Sequence, residues 1–132
     1  MRYNNETYWK ELHGCFNGSL KAVGWPTLSE SFNEAKYLSE TESFLQALEL
    51  CPLASRSPLR LLEIGIGIGF WTSLLIERLS KFDFHVTGLD ISKDALAVVR
   101  ARFPDVELEQ ADLRSINPNR FLHRFDLVTA LM

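Results

Sequence analysis

The stretch Leu-Leu-Glu-Ile-Gly-Ile-Gly-Ile-Gly-Phe-Trp at 61–71 constrains the fold of this chain more than any other. An apolar run ends in an acid, Glu63, and three alternating glycines, Gly65, Gly67 and Gly69, lead into a helical pattern. Glycine allows a tight turn and close approach of a ligand to the main chain. A helix that starts at such a turn presents unpaired N–H groups and a partial positive charge. A turn of this kind joins a strand to the following helix in an α/β fold.

From Leu59 onward, short apolar runs alternate with helical ones, as in βα units that share a parallel sheet. They predict strands at 59–64, 84–89, 106–110 and 125–132, helices at 70–80 and 93–103, and a polar loop over 112–124. Ser92 is placed to cap the second of these helices. The last run, Phe-Asp-Leu-Val-Thr-Ala-Leu-Met, is nearly continuously apolar and so expects cover on both faces. Upstream, Tyr8, Leu12, Phe16 and Leu20 recur every four residues, with Trp9 and Cys15 beside them. That spacing predicts an amphipathic helix broken near Gly14 and Gly18. A second helix follows Gly24-Trp25-Pro26, capped by Ser29 or Ser31, with Phe32, Ala35, Leu38, Leu45 and Leu48 as its apolar face up to Leu50. The turn-rich stretch 51–58 separates a helical extension, 1–58, from an α/β core, 59–132.

Composition narrows the function. With 132 residues, 46% hydrophobic and 23% charged, the chain has the size and apolar content of one globular domain rather than of a disordered segment. Fourteen Lys plus Arg against 17 Asp plus Glu give a net charge of −3, which leaves no basic field to draw in nucleic acid. No apolar run approaches the roughly 18 residues of a membrane span, and the N-terminus lacks a signal-like core, so a cytoplasmic protein with no membrane partner is expected. Cys15 and Cys51 stand far apart and form no metal or disulfide pattern, which predicts buried free thiols. His13, His85 and His123 have no ligand spacing, so no metal is expected. Arg114, Arg120, His123 and Arg124 read as a solvated loop cluster.

The glycine turn admits several ligands, and its neighbours discriminate among them. The dinucleotide fingerprint needs a glycine where Phe70 stands, and a Walker loop needs a Gly-Lys pair that the chain lacks. A carboxylate at the mouth of the turn, Glu63, repels a pyrophosphate and attracts an ammonium group. Two later acids follow strand ends: Asp90, 21 residues after Gly69, and Asp112. Either alone reads as a cap or turn residue. Acids at three successive strand ends lie along one carboxyl edge, where open α/β sheets bind ligands.

In Glu-Ile-Gly-Ile-Gly-Ile-Gly at 63–69, with Asp90 and Asp112, the chain resembles the class I S-adenosylmethionine-dependent methyltransferases. The resemblance implies a Rossmann-like three-layer α/β/α fold with strand order 3-2-1-4, incomplete beside the family's seven strands. It implies S-adenosylmethionine as cofactor, held by Glu63, Gly65, Gly67 and Gly69, with Asp90 on the ribose hydroxyls. Ile91 would pack on the adenine, and Asp112 and the Leu113 N–H would meet its edge. The segment 24–33 is similar to the N-terminal extension of some small-molecule members; Trp9, Trp25, Phe70 and Trp71 read as core or helix-packing residues, and the alternative that the resemblance implies is that Trp25 and Tyr37 roof the cofactor. The implied reaction is in-line displacement at the sulfonium methyl by a small-molecule acceptor, with no catalytic residue identified.

The sequence further suggests a chain truncated after its fourth strand, whose open edge self-associates or pairs with a partner chain. Two other functions are compatible with it. One is a non-catalytic S-adenosylmethionine-binding or interaction module completed by a partner, and the other is an NAD(P)-dependent oxidoreductase.

Overall fold

The computed structural model describes residues 4–16, 18–53 and 57–131. Its centre is a parallel sheet of four strands in the order β3-β2-β1-β4. β1 (Leu59–Ile64) pairs with β2 (Phe84–Asp90) on one side and β4 (Leu127–Ala130) on the other, and β3 (Glu107–Gln110) pairs with β2. Glu63 stands opposite Gly88 and Thr129, and Asp90 opposite Gln110, so the ends of β1, β2 and β3 open onto one edge. This is the predicted order, with β4 shorter than the apolar run suggested; Met132 lies outside the described residues. Before β4 the Asp126 carboxylate accepts the Arg60 N–H at 2.9 Å, so a side chain takes the place of a ladder bond.

Alternation along β1 builds the core on both faces. Leu61 packs with Leu75 and Leu79 of the helix region α3 (Phe70–Arg78), with Val86, and with Leu48 from upstream. On the other face Ile66 packs with Leu96 and Val99 of α4 (Lys93–Arg102). Each such side chain contributes about 1.5–3 kcal/mol when fully buried, and the result is helix, sheet, helix. Ser92 caps α4 as predicted, accepting the Ala95 N–H at 3.2 Å. β4 differs from expectation: Leu127 and Thr129 are half-buried while Val128 and Ala130 are exposed, so among the described residues only one face is covered.

Upstream, α1 (Asn5–Phe16) runs through Gly14 without a break. A helix tolerates one glycine at about 1 kcal/mol. The turn comes instead at Gly18, φ 77°, before a short 3-10 turn at Leu20–Ala22. Leu12 and His13 are the buried residues of α1, and Cys15, two positions on, is exposed. Cys51 is half-buried, so both thiols are free as expected but neither is fully buried.

α2 (Glu30–Glu49) starts at Ser29, whose hydroxyl accepts the Phe32 N–H at 3.1 Å. Its inward stripe is Asn33, Tyr37 and Leu48, with Phe44 packed against the core beside Leu48. Of the predicted apolar face only Leu48 is buried; Phe32 is 47% and Leu38 67% exposed. The rotation is set by Asn33 and by Tyr37, which packs edge-on against Phe70 at 4.7 Å. Asn33 binds the preceding loop three times: its Oδ1 accepts the Trp25 N–H, and its Nδ2 donates to the carbonyls of Trp25 and Ser29. Hydropathy alone turns an asparagine outward, whereas three buried hydrogen bonds turn it in. No helix among the described residues is long and apolar enough to cross a membrane.

Candidate functional site

The turn after β1 divides the work among its glycines. Gly65 has φ 71°, and a Cβ built there meets nothing within 4 Å, so bare backbone faces open space. Gly67 has φ 54°, and a Cβ there would come to 2.7 Å from Val23 Cγ1. That glycine gives room to the upstream segment, which is further tied down by the Tyr37 hydroxyl donating to the Val23 carbonyl at 3.0 Å. Gly69 leads into α3 and offers no side chain to cap it, so the first-turn N–H groups of that helix are not capped from the side.

Asp90 closes β2 and holds the turn in place. Its Oδ2 accepts the Gly67 N–H and its Oδ1 the Ser92 N–H, each at 2.8 Å. Beside it Ile91 is half-buried, and its carbonyl accepts from Gln110 Nε2 at 3.1 Å.

Glu63 is not at a solvent-facing mouth. It is 1% exposed at the end of β1, where its Oε2 accepts the Thr72 hydroxyl at 2.6 Å and its Oε1 has no hydrogen-bond partner among the described residues. Burial pushes its carboxyl up to about 7; the Thr72 bond opposes the rise and the Asp90 charge adds to it.

Asp112 lies at the surface past β3, where Arg114 forks onto its carboxylate through Nε at 3.0 Å and Nη2 at 2.5 Å. Those bonds, with the Arg114 N–H, pull Asp112 down to about 2. Leu113 next to it is exposed. Asp90 is therefore hydrogen-bonded to the glycine turn, and Glu63, on which the Asp90 charge bears, to Thr72 of the helix that follows the turn, while Asp112 arrives at the same edge already paired.

Three residues went unremarked in the sequence as parts of this site. Thr72, on the turn of α3 above Glu63, is detectable only as a hydroxyl one helical turn after the glycines. Val23 carries no signal. His13 of α1 is buried with Nδ1 unpartnered; burial lowers its pKa against the opposing pull of Asp90 and Asp94. Trp25, expected to pack or to roof the cofactor, is 55% exposed, whereas Tyr37 is buried against Phe70 and Trp71. Among the described residues no group of three or more His, Cys, Asp or Glu is placed to hold a metal ion.

A parallel sheet whose strand ends carry a glycine turn, an uncapped helix start and acids, one of them buried, defines a Rossmann-like α/β ligand-binding domain. Residues 61–132, more than half of the chain, match the family model described as a methyltransferase domain, and the chain belongs to that family. It is 37% identical over 91 residues to a trans-aconitate 2-methyltransferase of Methylobacterium nodulans, covering 66% of this chain and 34% of that protein. It is 33% identical over 81 residues to a malonyl-[acyl-carrier protein] O-methyltransferase of Acetivibrio thermocellus, covering 61% of this chain and 28% of that one. The chain thus spans about a third of the length of these curated relatives. Among solved structures, the citrinin polyketide synthase CMeT domain superposes with a TM-score of 0.55 at 19% identity, over 95% of this chain and 39% of that one. The plantazolicin methyltransferase BpumL, solved in complex with SAH, gives 0.51 at 17% identity, over 95% of this chain and 49% of that one. These two likenesses are of fold.

Proposed function

We propose that the chain binds S-adenosylmethionine along the carboxyl edge of the sheet and that the protein transfers its methyl group to a small-molecule acceptor. The observation that carries this reading is the placing of the buried Glu63, the glycine turn and the Asp90 that holds it at adjacent strand ends. An amino-acid end needs an anion for its ammonium and N–H donors for its carboxylate. Glu63 Oε1 is a buried acceptor without a partner, and the start of α3 supplies uncapped N–H groups. Gly65 leaves room for the chain between them. Asp90 keeps capacity for the ribose, because each carboxylate oxygen has two lone pairs and has used one. Ile91 and the Leu113 N–H meet the adenine, and Asp112 takes its amino group once Arg114 swings aside.

When bound, the sulfonium supplies an activated methyl for in-line displacement. The residues of this chain align it and exclude water, which is where proximity and orientation enter the rate. Upstream of the sheet, the segment around Val23 packs over the glycine turn, and the helical extension forms the acceptor side. Because relatives are named for trans-aconitate and for malonyl-[acyl-carrier protein], carboxylic acids are the acceptors to test first. The outer edge of β4 is where self-association or a partner strand would add to the sheet.

Calorimetry with S-adenosylmethionine on the wild-type chain, followed by a labelled-methyl turnover assay against carboxylic acids, tests the reading. Binding without turnover supports the non-catalytic module instead. Binding of NADH in place of S-adenosylmethionine overturns the cofactor assignment.

A further inference from the structure

Thr72 is fully buried in the first turn of α3, above the end of β1. A helical threonine often turns its hydroxyl back to the carbonyl four residues earlier. For Thr72 that carbonyl belongs to Ile68, and it accepts instead from Arg102 Nη1 at 2.7 Å. Arg102 reaches over from α4, its guanidinium lying 5.0 Å from the centre of the Phe103 ring. The Thr72 hydroxyl donates across to Glu63 Oε2 at 2.6 Å. Oε1 is then the oxygen of Glu63 left buried and unpartnered.

We propose that Thr72 is a positioning residue for the ligand's ammonium group: it clamps Oε2 of Glu63 and so makes Oε1 the acceptor offered to that group. The inference rests on the S-adenosylmethionine reading and deepens it by assigning the oxygen and the residue that selects it. It also fixes what happens to a proton. The charge bearing on Glu63 is that of Asp90 from β2, and α3 brings the neutral Thr72. With no cation acting on it among the described residues, the buried carboxyl holds its proton near neutral pH. An arriving ammonium reverses the preference. The neutral carboxyl and the ammonium become an ion pair, and one proton leaves to the solvent.

Two ligands separate this from a structural role: S-adenosylhomocysteine, and its analogue lacking only the α-amino group. On the wild-type chain at pH 6.5, calorimetry in buffers of different ionisation enthalpy is expected to show release of roughly one proton with the first and none with the second. T72V is expected to weaken S-adenosylhomocysteine about tenfold, to leave the deaminated analogue unchanged, and to be rescued by T72S. Equal weakening of both ligands, no weakening of either, or proton release indifferent to the amino group overturns the role of Thr72 while the cofactor reading survives. A wild-type chain that binds neither ligand overturns both. The proton count uses the unsubstituted chain, so it decides the matter even where T72V does not fold.

Discussion

The Asp90 carboxylate accepts the Gly67 N–H at 2.8 Å across 23 residues of chain, tying the end of β2 to the turn after β1. The side chain that the resemblance places on the ribose hydroxyls therefore also acts as the turn residue its position allowed, and sets the shape of the loop beside it. D90A removes a charged acceptor from two backbone donors, Gly67 and Ser92. The expected outcome is a loss of about 2–3 kcal/mol in urea unfolding, with a folded chain that no longer binds S-adenosylmethionine by calorimetry. Wild-type affinity in D90A discards the ribose assignment.

Glu63 makes stability fall as pH rises. Its carboxyl titrates near 4.5 unfolded and about 7 folded, so below 4.5 both states are protonated and the group contributes nothing. Between those values the unfolded chain ionises first and stability declines; above 7 the decline is complete, at on the order of 3 kcal/mol. E63Q keeps an acceptor for Thr72 and cannot ionise. It is expected to unfold at higher urea than wild type at pH 8 and at the same urea at pH 4.

The two outward glycine roles separate on substitution. G65A and G67A both force alanine into positive φ, at about 1 kcal/mol or more each. Only in G67A does the new Cβ strike Val23. G67A is expected to lower the melting temperature further and to speed proteolysis around residues 23–29, while G65A chiefly weakens ligand binding.

Arg114 competes with ligand for Asp112. An exposed pair of this kind is worth only about 0–1 kcal/mol, so R114A is expected to raise S-adenosylmethionine affinity by about twofold to fivefold. Reduced affinity in R114A assigns the pair a purely structural role.

Asn33 is the knot of the upstream segment, fully buried with three hydrogen bonds to the loop it follows. N33A leaves the Trp25 N–H without its acceptor, while the Trp25 and Ser29 carbonyls keep their bonds from the main-chain N–H groups of Leu28 and of position 33, and it is expected to lose about 1–3 kcal/mol in urea unfolding. A loss within 0.5 kcal/mol of zero, on the scale of surface changes, contradicts the knot.

The sequence by itself determined the order of strands and helices, the glycine turn, the cap at Ser92, a cap at Ser29 or Ser31, and the acids at the strand ends. Those are written in hydrophobic period and local turn chemistry, which neighbouring residues specify among themselves. Tertiary structure decided what each of those residues faces. It rotated α2 so that Asn33 and Tyr37 point inward and Phe32 and Leu38 outward, and among the described residues it covered one side of β4. It buried Glu63 under Thr72, gave Gly67 to Val23, occupied Asp112 with Arg114, and tied Asp90 to the loop. Burial and partner choice depend on segments far apart in the chain, so an acid read at a turn carries its type forward but not its environment, and the environment sets its charge.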